Sequence, residues 1–291
     1  MFKGGALQSS NPSGLFDNAI SDQAFNAFQQ YMRDKCGIAI GHSKRYMVQS
    51  RLDNILRETA ISNVNDLIDA LIKNTLPQKI KTRIIDAITT NETYWFRDGR
   101  QFDVLTKEIL PELTKHPFNS LRIWSAGCSY GQEPYSICIA MQEFARLHMI
   151  KLPKLQIIGT DLSHKVLDIA RQAVYSEYAL SRGLPTPLKQ RYFVSSEQGW
   201  KLKPEITSKV SFRPFNLLNS FSMMGKFDVI FCRNVLIYFS SEVKLHILNR
   251  MIASLKPEGS LFLSSTESLP PGLSGLKTLQ GHGTRYYRRM D

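Results

Sequence analysis

No apolar run in these 291 residues approaches the roughly 18 to 20 that a bilayer crossing needs, so a membrane-spanning chain is not expected. Cysteine is scarce: Cys36, Cys128, Cys138 and Cys232 stand apart with no C-x-x-C pair. That argues against a structural zinc site or a redox dithiol and for reduced thiols and no metal. Neither G-x-G-x-x-G nor G-x-x-x-x-G-K-[ST] occurs, which removes the two common pyrophosphate cradles. Internal repeats and low-complexity blocks are absent as well. The Gly-, Ser- and Asn-rich start has no apolar stretch of the signal-peptide kind, so residues 1–18 are expected to form a flexible tail and the protein to be cytoplasmic.

What is present is ordinary for a globular protein, with 43% hydrophobic and 21% charged residues and enough length for a sizeable core in one or two domains. The net charge of +12 permits nucleic acid, a membrane surface or an acidic protein as partner. The basic excess lies on both sides of residue 91 and forms no polybasic tail, so charge does not choose among these.

From Ser21 to about Ile88 apolar residues recur at helical spacing, as in Phe25, Phe28, Tyr31 and Met32 or Val48, Leu52, Ile55 and Leu56, which predicts an all-helical domain over 19–90. After about Arg100 short apolar strands alternate with amphipathic helices, the pattern of a parallel α/β sheet. Strands are predicted at Leu121–Ala126, 156–160, Val210–Pro214, 227–232, 259–264 and 285–289, with helices starting near Pro134, Ser163 and Ser241. The rhythm breaks at about 175–211, where Tyr192-Phe193-Val194 and Trp200-Lys201-Leu202 suggest a small strand-containing insertion within a 91–291 domain.

Four segments carry chemistry. Leu121–Ala126 runs into the turn Gly127-Cys128-Ser129-Tyr130-Gly131-Gln132-Glu133, and the next strand ends in Asp161. A carboxylate at the carboxyl edge of a buried strand suits the two hydroxyls of a ribose; it also suits the start of a helix. The 34 residues between Gly127 and Asp161 exceed the ~20 of the dinucleotide fingerprint, so a nucleoside cofactor without phosphates, S-adenosylmethionine, fits better than NAD. Gly127 and Gly131 are expected to let the backbone approach a ligand. Glu133 is suited to an amino group, or simply to a first helical turn.

Thr89-x-x-Glu92 matches a capping box, but Asn91, Thr93, Tyr94, Trp95, Phe96 and Arg97 crowd the domain junction, where ligand sites concentrate. Phe227-Asp228-Val229-Ile230-Phe231-Cys232-Arg233-Asn234-Val235 is a strand running into a polar turn; Phe231, Leu236, Ile237 and Phe239 read as core, and Asn234 and Tyr238 as functional.

These segments, with Arg213-Pro214-Phe215-Asn216-Leu217-Leu218, together resemble the CheR-type chemotaxis receptor glutamate methyltransferases over about 20–291. The resemblance implies a Rossmann-like α/β methyltransferase domain with an N-terminal helical domain and a β-containing insertion. It further implies that Asn91, Thr93, Arg97, Glu133, Asp161, Asn216, Leu217, Asn234 and Val235 contact S-adenosyl-L-methionine, leaving S-adenosyl-L-homocysteine as product. Arg97 and Tyr238 are implied to lie at the reacting centre, and Cys128 is a minor departure from the pattern. The implied partners are cytoplasmic methylation helices of methyl-accepting chemoreceptors in membrane arrays and, in some members, a peptide at the receptor C-terminus gripped by the insertion. Because such helices are acidic, His42, Lys44, Arg45, Arg51 and Arg57 are candidate docking cations, or simply a solvated helix face.

Rival readings find less support. The N/D-P-P-Y/F motif of amino-group nucleic-acid methylases and the Pro-Cys of cytosine-C5 enzymes do not occur, so nucleic acid is not an expected substrate. A methyltransferase of another acidic protein remains an alternative. A non-catalytic adaptor is disfavoured by the intact Asn91, Arg97, Asp161 and Asn234.

Overall fold

The computed structural model describes residues 19–115 and 120–290; the expected tail over 1–18 lies outside them. The chain divides into two units, the first holding residues 19–34 and 40–88 and the second residues 35–39 and 89–290. In the first, the helical spacing gives α1 (Asp22–Cys36), α2 (Arg45–Leu56), α3 (Val64–Ile72) and α4 (Gln78–Ile88). Phe25, Phe28, Met32, Val48, Leu52, Leu67, Ile68 and Ile84 are buried there. Asn63 caps α3 by accepting from Asp66 N, a contribution of about 1 kcal/mol. The basic residues around α2 are not all solvated. Arg51 Nη1 donates to Ala87 O at 2.8 Å and Ile88 O at 3.1 Å, the last carbonyls of α4, where a cation complements the helix end. Arg45 pairs with Asp22.

The second unit begins its regular structure with α5 (Arg100–Val104), a π-helical turn at Leu105–Ile109 and α6 (Leu110–Leu113). Then come β1 (Leu121–Ala126), α7 (Gln132–His148), β2 (Leu155–Asp161) and α8 (His164–Gln172). The insertion follows as β3 (Val174–Tyr175), α9 (Glu177–Ser181), α10 (Thr186–Tyr192), β4 (Phe193–Ser196), β5 (Gly199–Leu202) and α11 (Pro204–Thr207). β6 (Val210–Pro214), β7 (Phe227–Phe231), α12 (Ser241–Ser254), β8 (Leu255–Phe262), β9 (Leu276–Gly281) and β10 (Thr284–Arg289) complete it. The seven-stranded sheet has the order β6-β2-β1-β7-β8-β10-β9. β6, β2, β1, β7 and β8 are parallel and the final pairings are antiparallel. β9 is absent from the sequence expectation because its exposed Lys277, Thr278 and Gln280 leave no apolar alternation.

Ile123-Trp124 in β1 and Val229-Ile230-Phe231 in β7 are apolar at successive positions because both faces of the sheet are covered. Ile123 and Val229 face one buried cluster with Phe102, Tyr135, Ile139 and Phe262; Trp124 and Ile230 face the other with Ile247, Leu248 and Met251 of α12. The strand order runs outward in opposite directions from β1 and β7, which makes the carboxyl ends of these two strands the switch point at which open α/β sheets bind ligands.

The insertion forms its own antiparallel sheet, β3-β5-β4. Trp95, fully buried, meets Tyr175 and Phe193 edge-on at ring-centroid distances of 5.0 and 5.4 Å, so this aromatic of the 89–97 segment seats the insertion instead of lining a cofactor pocket. Glu143 of α7 accepts from Arg191 Nη1 at 2.7 Å, Tyr192 Oη at 2.6 Å and Arg146 Nη2 at 2.8 Å. Burial works to raise the Glu143 carboxyl, but hydrogen bonds from Arg146, Tyr192 and Arg191 overcome it and hold the group at about 2.

A carboxyl depressed in the folded state stabilises above its unfolded value, about 4.3, and that contribution fades as pH falls toward 2. Glu143→Gln should therefore cost about 1–3 kcal/mol near neutrality. In urea unfolding, the gap between variant and wild type should close between about pH 4 and pH 2; a gap independent of pH would show that the charge does not contribute.

Candidate functional site

Residue 89 is a bend, 90–94 have no regular secondary structure and 95–99 form a turn. The capping box at Thr89-x-x-Glu92 therefore starts no helix. Phe96 and Asp98 hold left-handed conformations with φ of 50° and 53°, which non-glycine residues adopt only when surrounding contacts impose them. Those contacts are present: Phe96 N donates to Ser136 Oγ at 3.1 Å, Trp95 N to Arg182 O at 3.1 Å, and Arg233 holds Arg97 O and Asp98.

The turn after β1 is bound to the end of β2. Gly127 N and Cys128 N both donate to Thr160 O, at 2.7 and 2.9 Å. Asp161 accepts from Ser129 N through Oδ2 and from Ser163 N through Oδ1, both at 2.9 Å. The cap of α8 is Ser163, which accepts from Val166 N, so Asp161 ties two turns together and is not itself the cap. Gly127 and Gly131 have φ of 73° and 86°. An added Cβ would lie 2.3 Å from Val235 Cγ2 at Gly127, and 2.9 Å from Ala170 Cβ at Gly131. Protein side chains, including the candidate Val235, thus occupy the direction that a Cβ would take at these two glycines.

Four segments converge on this edge. Ser129 Oγ donates to Asn91 O at 2.9 Å, and Asn91 Nδ2 to Thr89 Oγ1 at 3.2 Å. Glu133, in the first turn of α7, accepts from Ser125 Oγ at 2.7 Å and from Arg233 Nη1 at 2.9 Å. Asn234 has φ of 58°, a conformation Asn tolerates better than most residues. Its N donates to Glu267 Oε2 at 2.8 Å, while Ser264 N and Ile237 N donate to the same carboxylate. Thr93 and Val235 are half-buried and Leu217 buried. Asn216 lies in the same unit with its side chain engaged, Nδ2 donating to Lys35 O at 2.6 Å and Oδ1 accepting from Leu218 N at 2.9 Å.

Arg97 and Tyr238, 141 positions apart in the sequence, are close enough for the charge of one to act on the hydroxyl of the other. Burial pushes the Tyr238 hydroxyl upward, against a hydrogen bond with Thr90 and the positive charge of Arg97. The Arg97 guanidinium lies 5.4 Å from the Tyr94 ring centroid and donates to Glu92 O at 3.2 Å. The thiols beside the site stay protonated: burial first, then neighbouring carboxylates, push Cys128 and Cys232 up. Neither is a thiolate nucleophile.

The residues fit S-adenosylmethionine. Asp161, Glu133 and Asn234 are acceptors at one sheet edge, and Asn234 Oδ1 is buried with no partner. Such a set suits hydroxyl and amino donors, whereas a pyrophosphate needs donors. Arg233, Glu267 and Ser125 escaped sequence reasoning; the one available signal was the charged Arg233 directly after an apolar strand.

The family model for the SAM binding domain of CheR methyltransferase matches residues 91–282, and that for the CheR all-alpha domain matches residues 23–89. Chemotaxis protein methyltransferase 1 of Pseudomonas aeruginosa is 45% identical over 84% of this chain and 90% of its own. Chemotaxis protein methyltransferase 1 of Vibrio cholerae is 41% identical over 86% of this chain and 90% of its own. Asp161→Ala should lose the calorimetric heat of S-adenosylmethionine binding and, by freeing Ser129 N and Ser163 N, cost about 1–3 kcal/mol in urea unfolding; wild-type affinity would remove Asp161 from the site. By its sequence and by the acceptor set its sheet edge assembles, the chain belongs to the CheR methyltransferase family.

Proposed function

We propose that this chain transfers a methyl group from S-adenosylmethionine to glutamate carboxylates on the cytoplasmic helices of chemoreceptors, forming methyl esters. The observation that carries the reading is the set of acceptors Asp161, Glu133 and Asn234 brought to one sheet edge, with Asn234 Oδ1 buried and without a partner among the described residues. The curated relatives named above are chemotaxis protein methyltransferases, which supports a chemoreceptor as the substrate. Among the described residues no helix is long and apolar enough to cross a membrane, so the enzyme reaches its receptors as a peripheral partner.

When bound, the cofactor supplies a methyl group activated by an adjacent sulfonium. Asp161 would hold the ribose hydroxyls, Glu133 the amino group, and Asn234 a further donor through its Oδ1, which has no partner among the described residues. Asn91, Thr93, Asn216, Leu217 and Val235 complete the walls. Asp98, Glu133 and Arg233 together carry a formal charge of −1, the sign that complements a cationic donor. A substrate glutamate has an ordinary pKa of about 4.3 and is already ionised at neutral pH, so no general base is required. The remaining task is alignment: Arg97 orients the carboxylate, and Tyr238 closes the pocket beside it.

Incubating the protein with labelled S-adenosylmethionine and receptor cytoplasmic fragments should give base-labile label on glutamate. Arg97→Ala should slow that transfer by about 10²–10³-fold with the thermal melt unchanged. Label on nucleic acid or on an unrelated acidic protein, with none on any receptor fragment, would replace this reading; so would full activity of Arg97→Ala for the role of Arg97.

A further inference from the structure

Arg233 is the most deeply placed cation of this edge, its side chain 1% exposed. It is not among the residues the resemblance assigns to the cofactor or the reacting centre. Its fork reaches three partners from two distant segments: Glu133 Oε2 and Asp98 Oδ2, each at 2.9 Å, and the carbonyl of Arg97. Its guanidinium lies 5.9 Å from the Phe102 ring centroid. Two of those partners belong to the turn in which Phe96 and Asp98 are left-handed, a conformation that reverts unless it is held. The third partner is the carboxylate that opens α7.

We propose that Arg233 is a positioning residue for methyl transfer, fixing the backbone of Arg97 and the carboxylate of Glu133 as one rigid unit. A guanidinium presents several donors in fixed directions. It therefore serves two carboxylates and a carbonyl at once. Because the Arg97 carbonyl is captured directly, the direction in which the Arg97 side chain leaves the turn depends on Arg233. Lysine carries the same charge on a single ammonium and does not reproduce this fork. The inference rests on the catalytic reading of Arg97 given above, but its structural half stands independently of any substrate.

Two variants of the full chain test it. In Arg233→Lys, amide hydrogen exchange should lose protection over residues 94–99 while peptides from β1 and β7 keep wild-type protection. The rate constant kcat for receptor methylation should fall by about 10²-fold, as expected when a reacting group is misplaced by about 1 Å, and calorimetric affinity for S-adenosylmethionine should weaken as Glu133 loosens. Asp98→Asn should loosen the same turn and lower kcat, with a smaller loss of cofactor affinity than in Arg233→Lys, since the Glu133 pair stays intact. Wild-type protection of 94–99 in Arg233→Lys would overturn the proposal. So would equal loss of protection in β1 and β7, which would make Arg233 a residue of the fold alone. If wild-type protein methylates no receptor, the function reading fails, and the exchange result still decides whether Arg233 holds the turn.

Discussion

At the carboxyl edge of the sheet, side-chain carboxylates do work that the backbone cannot do for itself. Strands β1, β2 and β7 end side by side, and each leaves polar N–H groups in the turn that follows. A buried N–H without a partner costs about 1–3 kcal/mol. Asp161 answers this for Ser129 and Ser163, and Glu267 for Asn234, Ile237 and Ser264. Glu133 instead binds Ser125 Oγ and Arg233. An ionised carboxylate has about four acceptor positions, so fixing a turn does not by itself exhaust the group.

That economy explains why the folding and functional readings of the same residue need not compete. Asp161 was legible as either a helix-start residue or a ribose acceptor; the structure places it between two turns, with the cap of α8 supplied by Ser163. Glu133 sits in a first helical turn, where an acidic residue is favourable anyway, and is also the anchor of a buried arginine. The glycines of the turn are governed chiefly by packing: their left-handed backbone is set by the turn, and the side chains of Val235 and Ala170 occupy the directions a Cβ would take. Contact between Gly127 and Val235 brings the turns after β1 and β7 together at the point where the strand order reverses, which is where such sheets open a crevice.

The insertion is joined to the same site by apolar and ionic contacts of different range. Trp95 is packed between Tyr175 and Phe193, and its neighbours Phe96 and Arg97 are therefore placed by how the insertion sits. Glu143 ties α10 to α7 through Arg191 and Tyr192. Movement of the insertion would thus be felt at the turn that presents Arg97, through contiguous side chains and a strained backbone.

Much of this was legible in the sequence because it is local. Apolar runs bounded by turns gave β1 and β6 to the residue and β2, β7 and β10 within a residue or two; helical spacing gave the N-terminal unit; and the four motif segments announced the cofactor class through the phosphate-binding turns they lack. What the sequence could not supply is pairing across distance. Glu133 and Arg233 lie 100 residues apart, Asn234 and Glu267 lie 33 apart, and no periodicity or local propensity records such partners. Their choice is made only when the sheet brings the strand ends to one edge and burial penalises every unpaired charge, so composition and spacing determined which chemistry this chain carries, while tertiary packing decided which side chains hold it in place.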